Sequence, residues 1–293
     1  MNKVFIKSFL GLILISCISV SALAADVELS KDSTLEGILK RGKLRVGFEA
    51  GYMPFEMIDN RGGLRQRTLR HGGVRHGSQH LNYIGFDIDI AGEMAKALGV
   101  KFIPVETFWP SIIPALNLGR FDIIMSGMSI TENRKRKVDF TDSYMTIGQT
   151  VLLNQKHKSL INSYKDLNDS KYIVTSKPAT TGEAAVKKFL PNSTYKPFDT
   201  EFECAMEVLN GKADAFVYDF PYNSVFMAMH GTDKLVFLDK PFTREELAWA
   251  IRKNDPDFLK WLNNFLEELK SDNRYDTIYK KWFKNTNWYK FVR

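Results

Sequence analysis

Apolar strand-like segments alternate with segments of helical periodicity in two separate blocks of this chain, and this alternation limits the possible folds most strongly. In the first block we predict helices at 35–40 and 87–98 and strands at 44–48, 101–105 and 121–125. After Thr150 the pattern restarts, with strands at 172–175 and 215–218 and helices at 182–189 and 202–210. Alternation of this kind indicates a mostly parallel sheet, and two such units exceed one small core. We therefore predict an α/β protein with two lobes.

Two extended segments, at 148–154 and 236–242, flank the second block and are predicted to cross between the lobes as a hinge. The predicted limits are 26–147 together with 243–293 for lobe 1, and 148–242 for lobe 2. Residues 246–293 are expected to return to lobe 1 as helices, because their aromatic residues have the spacing of a packed helical face.

Residues 61–80 interrupt a hairpin that we predict from strands at 55–59 and 82–86. This stretch is rich in arginine, histidine and glycine and has no apolar periodicity. We expect it to be a surface insertion in lobe 1.

Residues 1–25 have the features of a secretory signal peptide. Lys3 and Lys7 precede an apolar run, and the Ala-Leu-Ala sequence at 22–24 offers the small residues of a cleavage site. The apolar run is short for a transmembrane anchor. We predict that residues 1–25 are removed and that the mature protein is periplasmic. Lipidation of Cys17 remains an alternative, because Leu-Ile-Ser-Cys at 14–17 also fits a lipoprotein cleavage site.

The formal net charge of +7 does not indicate a nucleic-acid surface. Two of the lysines leave with the signal, and residues 61–80 carry five arginines and no acidic residue. The rest of the mature chain is then close to neutral, so we expect no nucleic-acid partner.

Cys204 has helical spacing with Phe202 and Met206 and is predicted to be a buried structural thiol. Two cysteines and five histidines form no metal motif, so we predict neither a metal nor a cofactor.

Residues 121–142 carry the local chemistry of a carboxylate clamp. The predicted strand at 121–125 leads into Ser126, Gly127 and Ser129, whose small side chains let a ligand approach the backbone. Thr131 is typical of a helix start, where free backbone N–H groups attract anions, and Arg134 adds a planar, permanently charged fork. The alternative is an ordinary strand–turn–helix with a solvated basic face.

Four segments occur in an order that resembles a known family: LRVGFEAGYMPFEM, GFDIDIAGEMAKALGV, WPSIIPALNLGRFDIIMSGMSITENR and KADAFVYD. Together they resemble the bacterial extracellular solute-binding proteins of family 3, the polar amino acid class, from residue 34 to residue 288 with one interruption. The resemblance implies a venus-flytrap, periplasmic-binding-protein fold with two hinge crossings. It also implies that the protein delivers a free amino acid to the membrane permease of an ABC importer, and we expect a monomer.

Ligands of open α/β sheets bind beyond the carboxyl ends of the strands, and ligands of two-lobed proteins bind between the lobes. The candidate residues therefore follow predicted strands. The predicted ligand-binding residues are Glu49, Tyr52, Trp109, Ser126, Gly127, Ser129, Arg134, Lys177, Thr180, Thr181 and Asp219.

The family resemblance implies how one end of the site would hold the two charges of an amino acid. Arg134 and the backbone N–H groups of Ser129 and Thr181 would bind the carboxylate. Asp219, the carbonyl of Gly127 and the hydroxyl of Ser129 would bind the ammonium. For Asp219 the alternative is a helix N-cap before Pro221.

The other end of the site is predicted to select the ligand side chain. Tyr52 and Trp109 would enclose its aliphatic stem, with core packing as the alternative for both rings. Glu49 would pair with a cation, Lys177 would repel one, and the two together would suit an amide equally well. A buried unpaired charge is unfavourable, so a ligand must satisfy both groups or they must pair with each other. We predict a polar amino acid, with basic and glutamine-like ligands both open.

The same fold hosts periplasmic dehydratases of the prephenate or arogenate type, and an aromatic cleft would suit their substrates too. Fold alone does not decide function. The sequence contains no nucleophile–base pair and no glycine-rich phosphate loop, so we predict a binding protein and not an enzyme.

Overall fold

The computed structural model describes residues 30, 33–62, 82–231 and 233–292. The predicted signal peptide, Cys17 and residues 63–80 of the predicted insertion lie outside these ranges. Within the described ranges, no helix combines the length and the apolar character needed to span a bilayer.

The helices and strands predicted between residues 35 and 218 are present in the predicted order, together with elements that the sequence pattern did not indicate, among them α3, β10 and α7. The strands are β1 (Lys43–Phe48), β2 (Met57–Ile58), β3 (Tyr83–Ile84), β4 (Lys101–Glu106), β5 (Ile123–Ile124), β6 (Asp139–Phe140), β7 (Met145–Ile147), β8 (Gln149–Asn154), β9 (Ile173–Ser176), β10 (Thr194–Pro197), β11 (Ala215–Asp219), β12 (Leu235–Leu238), β13 (Glu245–Leu247) and β14 (Ala250–Ile251). The α-helices are α1 (Thr34–Arg41), α2 (Phe86–Ala97), α3 (Ile112–Asn117), α4 (Glu132–Lys135), α5 (Thr181–Phe189), α6 (Glu201–Leu209), α7 (Phe220–His230), α8 (Pro256–Ser271) and α9 (Arg274–Phe283).

Each lobe is built on one five-stranded sheet. The strand order is β4-β1-β5-β14-β6 in lobe 1 and β10-β9-β11-β8-β12 in lobe 2. Both sheets are mixed, because β14 runs antiparallel to β5 and β6, and β8 runs antiparallel to β11 and β12. The other four strands of each sheet run in the same direction, so the sheets are mostly parallel, as predicted, with one antiparallel strand each. A strand that enters directly from a crossing segment needs no helical crossover, so it can pair antiparallel.

The chain crosses between the lobes twice, and the crossing segments pair with each other. β7 and β13 form an antiparallel two-stranded sheet, and β7 continues through Gly148 into β8 of lobe 2. The predicted lobe limits after residues 147 and 242 fall in these segments, and the assignment of limits remains a prediction. The returning segment was expected to be helical from residue 246. It first forms β13 and β14 and becomes helical only at α8, because extended backbone is needed to cross and to join the first sheet.

Helix caps position the elements that border the space between the lobes. The hydroxyls of Thr131 and Thr180 accept hydrogen bonds from backbone N–H groups in the first turns of α4 and α5. At α6, Thr200 and Glu203 cap each other's backbone reciprocally. A cap of this kind contributes about 1 kcal/mol and fixes where the helix begins.

Arg61, the first residue of the predicted insertion, is part of the described hairpin end. Its guanidinium forms a 2.6 Å ion pair with Asp59 and lies 4.2 Å from the ring centroid of Phe291. These contacts link the hairpin to the C-terminal segment.

Candidate functional site

The residues predicted to bind a ligand all line one cleft between the lobes. The cleft has a volume of ≈ 350 Å³, including its opening to solvent. Lobe 1 contributes the residues that follow β1, β4 and β5, and lobe 2 contributes those that follow β9 together with Asp219 at the end of β11. The ends of these strands meet between the lobes, which is why separate sequence segments form one surface. Whether each residue contacts a ligand remains a prediction.

Arg134 is held firmly in the wall of the cleft. Its Nη1 donates to the carbonyl oxygen of Ser129 at 2.8 Å, and its Nη2 lies 3.4 Å from the carbonyl oxygen of Ala179 in lobe 2. The guanidinium carbon is 5.1 Å from the ring centroid of Trp109. Burial lowers the pKa of Arg134, yet an arginine remains charged at physiological pH. The cleft therefore contains a fixed cation.

Asp219 is buried at the end of β11. Its carboxylate accepts a hydrogen bond from the Tyr52 hydroxyl in lobe 1 and one from Gln149 Nε2 at 2.5 Å. Burial raises the pKa of Asp219 to about 7, and the charge of Glu245 acts in the same direction, whereas the hydrogen bonds and Arg134 oppose the rise. The side chain makes no capping bond to α7. Asp219 thus occupies the N-cap position of α7, as the alternative has it, but its carboxyl does not cap the helix and lines the cleft instead.

Gly127 allows Tyr52 to pack directly against the backbone of the loop after β5. Its φ is +52°, and a Cβ at this position would lie 2.2 Å from Cε1 of Tyr52. Glycine is needed here both for the positive φ and for the close approach. The Tyr52 ring also stacks on Phe55, with centroids 4.7 Å apart. Tyr52 thus combines core packing with a hydroxyl that reaches Asp219.

The serine hydroxyls of this loop are already hydrogen-bonded. Ser126 Oγ donates to Glu56 at 2.5 Å and accepts from the backbone N–H of Glu49 at 3.2 Å. Ser129 Oγ donates to Glu245 at 2.8 Å. A hydroxyl that donates its proton to a carboxylate still has lone pairs to accept from an ammonium. The predicted role of Ser129 is compatible with this geometry.

Two threonines begin α5 on the lobe 2 side. Thr180 Oγ1 caps the helix and donates to the carbonyl oxygen of Lys177 at 2.6 Å. Thr181 Oγ1 accepts from Gln149 Nε2 at 3.2 Å. Thr181 is the first residue of this nine-residue helix, so its N–H has no acceptor within the helix and can bind an anion.

Lys177, another residue of the cleft wall, is clamped between two carboxylates. Its Nζ donates to Glu201 at 2.7 Å and to Glu49, whose other oxygen accepts from the backbone N–H of Trp109 at 3.0 Å. Burial lowers the pKa of Lys177, but the two carboxylates outweigh burial and raise it. Burial raises the pKa of Glu49, and Lys177 opposes that rise. The sequence predicted that Glu49 and Lys177 would either both bind the ligand or pair with each other, and in the structure they pair directly.

Four cleft residues were missed by the sequence analysis: Tyr218, which also lines the cleft, and Gln149, Glu201 and Glu245, which bind its lining residues. Gln149 and Glu245 lie on the crossing strands, where an extended pattern carries no sign of side-chain function. Glu201 lies one residue before the predicted helix start. The capping-box pattern of Thr200 and Glu203 could have shown that the helix begins at Glu201.

Within the described residues, no group of three or more histidine, cysteine, aspartate or glutamate side chains is placed to hold a metal ion. The absence of a metal and of a cofactor remains a prediction. Cys204 is buried, and burial raises the pKa of its thiol to about 12, which makes it unreactive at neutral pH.

Glu56 and Asp87 form a buried carboxyl pair behind the loop after β5. Asp87 Oδ2 accepts from the N–H of Gly127 at 2.9 Å and from the hydroxyl of Tyr144 at 3.2 Å. Glu56 Oε2 and Asp87 Oδ1 have no hydrogen-bond partner among the described residues. Burial raises the pKa of Asp87 to about 7 and that of Glu56 well above its usual range, with repulsion from Asp87 adding to the latter. Both groups therefore retain protons that the unfolded chain would release.

We expect the free energy of unfolding to fall as the pH rises towards about 7, by roughly 1.4 kcal/mol per pH unit for each such proton. The native state holds the Asp87 proton above the pH at which the unfolded chain loses it, so this stabilisation is full at acidic pH and is lost through about pH 7. Urea unfolding across this range should show a smaller slope for Asp87→Asn. Asp233→Asn, the same substitution at an exposed position, is the matched control. Equal slopes for the parent and Asp87→Asn would contradict the assignment.

A two-lobed α/β fold with a charged cleft at its hinge defines the class of periplasmic-type binding proteins. Residues 74–285 match the model of the bacterial extracellular solute-binding proteins, family 3. The chain belongs to this family.

Similar proteins include both binding proteins and an enzyme. A "probable histidine-binding protein" of Neisseria gonorrhoeae is 33% identical over 90% of this chain and 92% of the relative. A cyclohexadienyl dehydratase of Pseudomonas aeruginosa is 26% identical over 86% of this chain and 87% of the relative.

Two solved structures share both the fold and considerable sequence identity. A "putative binding component of ABC transporter" from Wolinella succinogenes, complexed with lysine, has a TM-score of 0.77 and 45% identity, covering 85% of this chain and 99% of that one. An ancestral amino acid-binding protein, described as a precursor of cyclohexadienyl dehydratase, has a TM-score of 0.75 and 44% identity, covering 86% and 100%.

Proposed function

We propose that this protein binds a basic amino acid in the cleft and delivers it to the permease of an ABC importer by closing around it. The observation that carries the proposal is the distribution of charge. Arg134 and Asp219 both line the cleft and lie close enough for their opposite charges to interact, and we call this pair the first end of the cleft. At the other end, Glu49 and Glu201 surround Lys177, so carboxylates outnumber ammonium groups.

The first end complements the two charges that every free amino acid carries. Arg134, together with the N–H groups of Ser129 and Thr181, would bind the ligand carboxylate. Asp219, with the Ser129 hydroxyl and the Gly127 carbonyl, would bind the ammonium. Charge-assisted hydrogen bonds of this kind are stronger than neutral ones, so they supply much of the affinity shared by all amino acids.

Trp109 connects the two ends and defines the path of the ligand side chain. Its backbone N–H is bonded to Glu49, its ring lies beside Arg134, and its Nε1 donates to the carbonyl oxygen of Ala179 at 3.0 Å. An aliphatic stem lying along this ring and Tyr52 would run from the first end towards Glu49. Ser126, Lys177 and Thr180 would complete the walls of this path.

The second end favours a cation over a neutral amide. A lysine or arginine side chain would compensate the excess carboxylate, whereas a glutamine side chain would leave it uncompensated in a buried site. The solved structure from Wolinella succinogenes contains lysine, which supports a basic ligand for a chain of 45% identity.

Contacts between the lobes support binding by closure. Tyr52 bonds to Asp219, Glu49 to Lys177 and Trp109 to Ala179, and each bond joins lobe 1 to lobe 2. A ligand that replaces such contacts would bind best when both lobes are close together, so it would shift the equilibrium towards the closed form.

We further propose that the protein acts in the periplasm as a monomer, with residues 1–25 as its signal peptide and Cys17 lipidation as the alternative. Membership of an extracellular solute-binding family supports this location. The partner is then the membrane permease. The mature chain outside residues 61–80 is close to neutral, so we expect no nucleic-acid partner.

A dehydratase of the prephenate or arogenate type is the second candidate. The observation in its favour is Asp219, because a carboxyl with a pKa of about 7 can donate a proton to a leaving group. Against it, identity to the dehydratase is 26%, compared with 45% for the lysine-bound binding component. Tyr52 and Gln149 also hold Asp219 in a way that suits ammonium binding. We therefore propose that the protein is not an enzyme.

A thermal-shift screen of the twenty amino acids tests the proposal. Lysine and arginine are expected to raise the melting temperature most, because their side-chain cations compensate the excess carboxylate and so bind most tightly. A ligand present at about 100 times its Kd stabilises the native state by about 2.7 kcal/mol. Prephenate incubated with the same protein is expected to remain unchanged. If no amino acid raises the melting temperature and prephenate is consumed, the dehydratase candidate replaces the binding proposal.

A further inference from the structure

We propose that Glu201 is a specificity-determining residue: its carboxylate holds Lys177, so that Glu49 is available to the cationic side chain of a basic ligand. This inference rests on the proposed function and names the residue that separates basic from uncharged ligands. Glu201 follows no strand directly and does not line the cleft surface, so neither strand position nor cleft shape indicates its role.

Glu201 reaches the junction of the lobes from the first residue of α6. It is 3% exposed, and its Oε2 accepts from Lys177 Nζ at 2.7 Å. Its Oε1 faces the opposite lobe, because a Cβ built on Gly51 would lie 3.2 Å from this oxygen. The start of a helix is a favourable position for a negative charge. A buried carboxylate is thus directed at Lys177 and at the lobe 1 loop after β1.

The charge balance of this end depends on Glu201. Without Glu201, Lys177 and Glu49 would form a neutral pair. A ligand cation would then face the Lys177 ammonium with no further carboxylate to pair with. With Glu201, two carboxylates share one ammonium. The neighbouring Glu56 is neutral, because burial raises its pKa well above the usual range. A basic side chain therefore brings the buried group to neutrality, and a glutamine side chain does not.

The two carboxylates have different roles because they lie on different lobes. Glu201 and Lys177 both belong to lobe 2, so their ion pair can persist when the lobes separate. Glu49 belongs to lobe 1 and meets Lys177 only across the cleft. A ligand cation can therefore take the place of Lys177 beside Glu49 while Lys177 stays with Glu201.

The test is calorimetric titration of Glu201→Gln with lysine, arginine and glutamine. Lysine and arginine are expected to bind at least about tenfold more weakly. Lys177 would then have Glu49 as its only carboxylate partner and would compete with the ligand cation for it. Glutamine is expected to bind as well as before or better. The matched control is Glu207→Gln on the same helix, which removes ion pairs with Lys196 and Lys212 and should leave all three affinities unchanged. Undiminished lysine binding, or an equal loss for all three ligands, overturns the inference.

A double variant shows whether a loss of binding in Glu201→Gln comes from the changed charge or from damage to the fold. Glu201→Gln combined with Lys177→Met removes one charge of each sign, so Glu49 faces the ligand cation alone. Lysine binding is expected to return to within about threefold of the parent, since contacting residues are coupled in this way. A double variant that does not recover lysine binding overturns the inference.

Titration of the parent separates the two levels of the proposal. A parent protein that binds no basic amino acid overturns the proposed function itself. A parent that binds lysine, together with a Glu201→Gln variant of parental affinity, overturns the role of Glu201 alone.

Discussion

Replacing Arg134 with alanine is expected to weaken binding of every amino acid ligand by about 2 to 5 kcal/mol, the usual cost of removing one partner of a desolvated charge pair. The guanidinium is a fixed cation of the cleft, bonded to the carbonyl oxygen of Ser129 and lying beside the Trp109 ring. The ligand carboxylate would then lose its charged donor while keeping only backbone N–H groups. Calorimetry with lysine and with glutamine measures the loss, which should be similar for both.

Arg136→Ala is the matched control for this variant. Arg136 directly follows α4, is exposed, and donates to Asn133 at 3.1 Å. Its removal is expected to leave affinity within about twofold, because exposed charges contribute little to binding at a distance. If Arg134→Ala binds within a few-fold of the parent, or if both variants lose affinity equally, the carboxylate is bound elsewhere.

Replacing Asp219 with asparagine is expected to cost a similar amount, about 2 to 5 kcal/mol, because the ligand ammonium loses its buried counter-charge. Asparagine keeps the shape of the side chain and can still accept from the Tyr52 hydroxyl. The loss therefore reports charge more than packing. Thermal unfolding without ligand should show that the variant remains folded.

The pH dependence of binding provides an independent signature of Asp219. Because its pKa is about 7 in the protein, the carboxyl must lose a proton to receive an ammonium. Affinity should rise by up to about tenfold per pH unit below pH 7 and level off above it. Asp219→Asn should remove this dependence, whereas Asp87→Asn should retain it. A pH-independent parent would show that Asp219 is not the group that receives the ammonium.

The positions of the cleft residues could be predicted because they depend on local pattern. Glu49, Ser126 and Asp219 each come at or just after the end of a buried apolar run, and strand ends meet at the edge of a sheet. Thr131 and Thr180 mark helix starts by a capping chemistry that works within three residues. The periodicity of apolar residues and the capping residues were therefore enough to predict that these distant segments line one cleft.

Strand direction in the sheets could not be predicted in the same way. The apolar runs of β8 and β14 look alike whether their neighbours are parallel or antiparallel, and pairing depends on how the chain enters the sheet. Burial of both faces removes the alternation that would distinguish the cases. The crossings, which are a tertiary feature, decided the direction.

By itself the sequence determined two α/β lobes, two crossings and a cleft with an arginine and an aspartate at the strand ends, because hydrophobic period, caps and turns act over a few residues. Only the tertiary structure decided how the charges are paired. Lys177 meets Glu49 across 128 residues and Glu201 across 24 residues. Burial and long-range proximity set both the pKa of Asp219 and the excess of carboxylate beside Lys177. Neither quantity has a local signature, since both depend on which side chains the fold removes from water together.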